Sequence, residues 1–185
     1  MGLFDKWKGK KETGENHLEH DLLKIIRIVS SDNAVILKSA QECVEHTIDY
    51  YNNHRNAYED RGMSIEDETT FLQWIGCIDL LIDNKIVCEC DWKASKEEFV
   101  CEISALKGIS SLALPIDSKW FETEQDIQQW CETLDEKWEK PRCVMAAFDI
   151  DSDSYVMFPC KKDDIEILSD LAERFGYRID FAKNM

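Results

Sequence analysis

From Cys143 to Cys160 two apolar runs flank a polar Asp-Ser-Asp turn, the pattern of a β-hairpin with strands over 143–150 and 154–159. The first run is apolar at both alternations: Val144, Ala146 and Phe148 share one face, and Cys143, Met145 and Ala147 the other. Such a strand is expected at the centre of a sheet covered on both sides. A turn centred on Asp151-Ser152 would place Ile150 opposite Asp153 and Cys143 opposite Cys160. A shorter strand is read over 86–91, with Ile86, Cys88 and Cys90 facing one way and Val87, Glu89 and Asp91 the other. Its charged face suits a sheet edge. Residues 177–181 read as a last short strand.

The remaining periodicity is helical. Leu22, Ile25, Ile26 and Val29 recur at helical spacing and stop at Ser30-Ser31-Asp32-Asn33, which offers N-caps for the next helix. That helix is predicted as one long segment from Ala34 to about Tyr58, ended by Gly62. Ser64 with Asp67 has capping-box spacing and opens a third helix striped by Phe71, Trp74, Ile75, Ile78, Leu81 and Ile82. Ser95 with Glu98 opens a fourth, closed by Gly108. Residues 109–121 read as irregular. Thr123 is predicted to cap a fifth helix, carrying Ile127, Trp130, Cys131, Leu134 and Trp138. A last helix runs from about Asp163 to Phe175, with Gly176 as its stop. Six helices and about four mostly antiparallel strands make an α+β fold. Residues 17–185 are read as one domain, and residues 1–16 as a flexible tail.

Composition narrows the class of partner. The 185 residues are 44% apolar, enough for a real core, and carry a net charge of −16. The first 16 residues hold a net +1, so the rest carries −17. A surface of that sign repels phosphate backbones and argues against nucleic acid as a direct ligand; its natural partners are basic proteins or cations, and plain solubility accounts for it without a partner. No apolar run is long enough for a bilayer span. The first eleven residues lack a signal-peptide core, and most of the eight cysteines lie in apolar periodic runs, so free thiols and a cytoplasmic location are expected. Cys88-Glu89-Cys90 has no second Cys or His pair to complete a zinc site.

Three segments carry a resemblance: Cys90-Asp91-Trp92-Lys93, Trp130 to Asp135, and Phe148 to Tyr155. They resemble a bacterial family of domains of unknown function, the one numbered six-six-three-zero, over the chain from the Ser64 helix onward. The resemblance implies a bacterial cytosolic protein and brings no catalytic residue with it. Small acidic proteins of this build also look like the immunity proteins of toxin systems, an analogy of fold and charge only.

Candidate chemistry is sparse. Asp149-x-Asp151-x-Asp153 imitates the start of a calcium loop, but Ser154 stands where the loop needs Gly and Cys160 where it needs Glu. The same residues suit a hairpin turn whose side chains bond their own backbone. Glu89 and Asp91 would approach Asp149 if their strand lay beside 143–150, giving a carboxylate cluster of the sort that supports hydrolysis. Trp92 and Trp120 fall at element ends, in loops that could converge as an interface. There is no Gly-x-Ser-x-Gly elbow and no glycine-rich phosphate loop, and His17, His20, His46 and His54 form no ligand set. No catalytic residue, metal ligand or cofactor is assigned. The candidate binding residues are Glu89, Asp91, Trp92, Trp120, Asp149, Asp151 and Asp153. Three readings stand open: a non-catalytic module for a basic protein partner, immunity-like or regulatory; an enzyme using the carboxylates, with or without a divalent ion; and a homo-oligomer.

Overall fold

The computed structural model describes residues 21–185. The proposed tail, His17, His20 and the domain start at residue 17 lie outside the described residues. Helix α1 covers 21–29, followed by α2 (Ala34–Glu45), α3 (Thr47–Asn53), α4 (Arg55–Asp60) and α5 (Thr69–Asp83). Strand β1 (Cys88–Asp91) leads to α6 (Lys96–Ser104), α7 (Lys107–Ser111), a 3-10 turn at Ser118–Trp120 and α8 (Ile127–Lys137). Then come β2 (Cys143–Phe148), β3 (Ser154–Lys161), α9 (Ile165–Phe175), β4 (Ile179–Phe181) and a closing 3-10 turn, Ala182–Asn184. The four strands form one antiparallel sheet in the order β1-β3-β2-β4. The fold is α+β.

The sheet separates two cores, and β2 shows why. All six of its residues are buried. Val144, Ala146 and Phe148 enter the core made with α1, α2, α5 and α9, while Cys143, Met145 and Ala147 enter the one made with α6, α7 and α8. Helices thus cover both faces, as a strand apolar at every position requires. β1 is an edge strand, as its carboxylates indicated.

The hairpin register differs from the expected one by a residue. Phe148 pairs with Val156 and Cys143 with Lys161, so Cys160 faces Val144. Seven residues, 149–155, lie between Phe148 and its partner Val156, and the last two of them, already in β3, pair only with β1, Tyr155 with Cys90 and Ser154 with Asp91. The connection is therefore a loop shared between two strand pairs, not a two-residue turn. Asp151 takes a left-handed conformation at φ 54, which Asp tolerates. Pro159 sits in β3 beyond the last β1 pair, Cys88 with Met157, where no strand needs its missing N–H.

The helical segment expected from Ala34 to Tyr58 is broken twice, at His46 and His54. The first break frees the Val44 carbonyl, which accepts from Gln73 Nε2 at 3.1 Å and from Thr47 Oγ1 at 3.3 Å. A long-range polar side chain thus replaces a helical bond, something no local pattern announces. Asp67 Oδ2 accepts from Ser64 N and Ser64 Oγ from Glu66 N, but these bonds close a separate turn, and α5 starts at Thr69. Ser95 and Glu98 do form a capping box on α6. Gly108 lies inside α7 rather than ending α6, and packs on Pro159. Asp126, paired with Gln129, caps α8 in place of Thr123. Gly176, at φ 97, ends α9 as expected.

Candidate functional site

Three buried tryptophans tie loops to the core through their indole N–H groups, each donating to a backbone carbonyl. Trp74 donates to Asp149 O, Trp130 to Glu122 O and Trp138 to Pro115 O, each at 2.9 Å. Buried indoles find such partners because an unmade bond is costly. The Trp74 bond matters most here, since it holds the first residue of the hairpin loop. Asp149 N–H in turn donates to Arg178 O at 2.9 Å, which ties that residue to the approach to β4.

On this fixed base the loop bonds itself. Asp149 Oδ1 accepts from Asp151 N at 3.0 Å and Ser152 Oγ from Ser154 N at 3.1 Å. These are the side-chain-to-backbone bonds of a polar turn. Asp151, Ser152 and Asp153 are exposed. Pairing of β1 with β3 then brings Trp92 alongside, and Trp92 N–H donates to Asp153 O at 3.1 Å. Trp92 leaves 53% of its surface in water, and Lys93 Nζ lies 4.6 Å from its ring centroid. Asp91 Oδ1 accepts from Lys93 N at 2.8 Å. The result is a cavity of about 320 Å³ lined by Trp92, Asp149, Asp151, Asp153, Tyr155 and Arg178, among others. Burial pushes the Tyr155 hydroxyl pKa upward. Arg178 is committed elsewhere, to Asp180 Oδ2 at 2.8 Å and Asn184 O at 2.9 Å.

Four of the seven predicted residues, Trp92, Asp149, Asp151 and Asp153, therefore meet at one cavity, and Asp91 flanks it. The other two stand apart. β1 lies beside β3 and not β2, so the expected approach of Glu89 to Asp149 does not follow. Glu89 instead accepts from Arg61 Nη2 at 2.7 Å, and the same guanidinium holds Asp79 at 2.6 Å. Burial opposes the Arg61 charge, but its bonds to Asp79 and Glu89 outweigh that and raise its pKa. Burial also raises the Asp79 pKa, with Arg61 opposing. This triad links α4, α5 and β1 as a structural clamp. Trp120 packs against the second core, with Lys137 Nζ 5.6 Å from its ring centroid, and does not line the cavity.

Among the described residues no group of three or more His, Cys, Asp or Glu side chains is arranged to hold a metal ion. All eight cysteines are unpaired, seven of them buried. Burial pushes the thiols of Cys131 and Cys160 upward, the latter to about 12, which makes them poor nucleophiles. No described helix is long and apolar enough to cross a membrane.

An antiparallel sheet with helices on both faces makes this an α+β chain, with an acidic loop beside an exposed tryptophan at its surface. The chain belongs to the family described as Domain of unknown function (DUF6630), whose model matches residues 21–182. No curated protein and no solved structure matches the chain.

Proposed function

We propose that this chain is a non-catalytic protein-binding module, immunity-like or regulatory, which docks a basic partner segment at the Trp92 face. The observation that carries this reading is the pairing of an exposed tryptophan with an acidic loop of which Asp149, Asp151 and Asp153 have no cation partner among the described residues. Tryptophan is the residue type most enriched at binding hot spots, and its ring attracts cations. Lys93 already occupies a position over that ring, so an incoming arginine or lysine would replace a contact the face is built to make. Carboxylates around the rim would steer the encounter and select for positive charge. Arg61 neutralises Glu89, which removes it from this surface and leaves the loop without a paired acid–base set. Among the described residues the other exposed large apolar side chains, Val35, Ile48, Ile65 and Ile167, stand on separate elements, so they support no comparable patch.

The test is an amide chemical-shift map of the full chain with a nona-arginine peptide as probe. Shifts should centre on residues 91–93 and 149–155. A map that leaves those residues unmoved while others shift would reject the site.

A further inference from the structure

We propose that the cleft beyond the end of β1 binds a small phosphorylated molecule with an apolar body. This site is separate from the Trp92 face and independent of it. β1 stops at its Cys88–Met157 pair while β3 continues to Lys161, so residues 158–161 have no strand on that side. The opening is closed in part by the α1–α2 turn and by α7, leaving a cavity of about 540 Å³. That is within the usual size of small-ligand sites.

Its lining differs from the rest of this acidic surface. Arg27, Lys107 and Lys161 face it, against Asp32 and Asp164, in a chain of net charge −16. Among the described residues neither Lys107 nor Lys161 forms an ion pair, and Arg27 Nη1 has only a loose exposed contact with Asp32 Oδ1 at 3.5 Å. A phosphate offers several strong acceptor oxygens to such a set of cations. Ile28, Ile86, Leu112 and Phe158 supply an apolar wall for the remainder of the ligand.

The probe is phenyl phosphate, titrated calorimetrically into the full chain at fixed ionic strength, with phenol as the uncharged control. Saturable binding of phenyl phosphate is expected, with phenol at least tenfold weaker. The double variant Lys107→Glu/Lys161→Glu should lose at least tenfold in affinity. Both lysines are exposed, so the melting temperature of the double variant should match the parent's in chloride. Amide shifts in the parent provide a readout that needs no variant, and should fall on residues 28–33, 107–112 and 158–161. Absence of saturable phenyl phosphate binding, equal binding of phenol, an unchanged affinity in the double variant, or shifts confined to other residues would overturn the proposal.

Discussion

Replacing Gly76 by alanine sets two opposed effects against each other, and the structure decides the sign. Gly76 lies inside α5, where alanine is favoured over glycine by about 1 kcal/mol of helix propensity. Propensity alone therefore makes Gly76→Ala stabilising. The added Cβ, however, would overlap Tyr58 Oη, and would lie 2.9 Å from Cys43 Sγ and 3.2 Å from Tyr58 Cζ. Tyr58 is 1% exposed, and its hydroxyl donates to Leu72 O at 2.9 Å, so it has no free space to retreat into. Overpacking of this kind costs about 1–3 kcal/mol, and loss of the Tyr58 hydrogen bond adds about 1 kcal/mol. Against the propensity gain, a net destabilisation of about 2 kcal/mol is expected. For a domain of this size that lowers the melting temperature by about 4–8 °C. Urea denaturation at constant m-value measures the change. Tyr58→Phe removes the overlapping oxygen, so the double variant Tyr58→Phe/Gly76→Ala should recover about 1 kcal/mol relative to Gly76→Ala alone, a favourable coupling between contacting residues. If Gly76→Ala matches or exceeds the parent in stability, or if Tyr58→Phe brings no recovery, the packing argument for α5 is wrong.

Two further outcomes test the frame around the site. Trp74→Phe should destabilise the chain by about 1–3 kcal/mol through the lost bond to Asp149 O, and hydrogen exchange should quicken most in residues 149–153. Asp135 is held in the second core by Met145 N–H at 2.9 Å and Lys183 Nζ at 3.2 Å, yet burial prevails and raises its pKa above the ordinary 3.8. Its contribution to stability is then fully present below the unfolded value and lost as pH rises through the raised one. Asp135→Asn should accordingly compare best with the parent near neutral pH and lose that advantage as pH falls through the raised value toward about 4 in chemical denaturation.

What the sequence makes legible follows from which forces act locally. Cys143 to Phe148 is apolar on both alternations, and that alone places β2 between two helical layers. Glu89 and Asp91 mark β1 as an edge, and the Ser95–Glu98 box marks the start of α6, because capping depends on neighbours in the chain. The hairpin register was less accessible. It depends on β1 borrowing Ser154 and Tyr155 from the loop, a tertiary event. The break at His46 is equally non-local, since Gln73, a turn into a different helix, satisfies the carbonyl that it exposes. For the site, residue type singled out Trp92 and the three aspartates, and strand pairing joined them. Residue type also chose Glu89, because the sequence gives no sign that Arg61 and Asp79 would claim it. The bond from Trp74 to the loop spans 75 residues and has no sequence signature beyond a tryptophan in a helical stripe.

The central claim is that Trp92 and the acidic loop form the docking surface for a basic segment, and one binding comparison addresses it most directly. Fluorescence anisotropy of labelled nona-arginine is measured against the parent, Trp92→Ala, the triple variant Asp149→Asn/Asp151→Asn/Asp153→Asn, and a distant control, Glu132→Gln/Glu136→Gln. The control removes two negative charges, against three in the triple variant, at exposed positions of α8 away from the cavity. Loss of a hot-spot tryptophan is worth about 2 kcal/mol, so Trp92→Ala should weaken binding by about thirtyfold. The triple variant should weaken it at least tenfold and flatten its salt dependence, while the control stays within about threefold of the parent. Equal losses in the control and the triple variant, or an unchanged affinity in Trp92→Ala, would show that the peptide responds to net charge alone and would contradict the account.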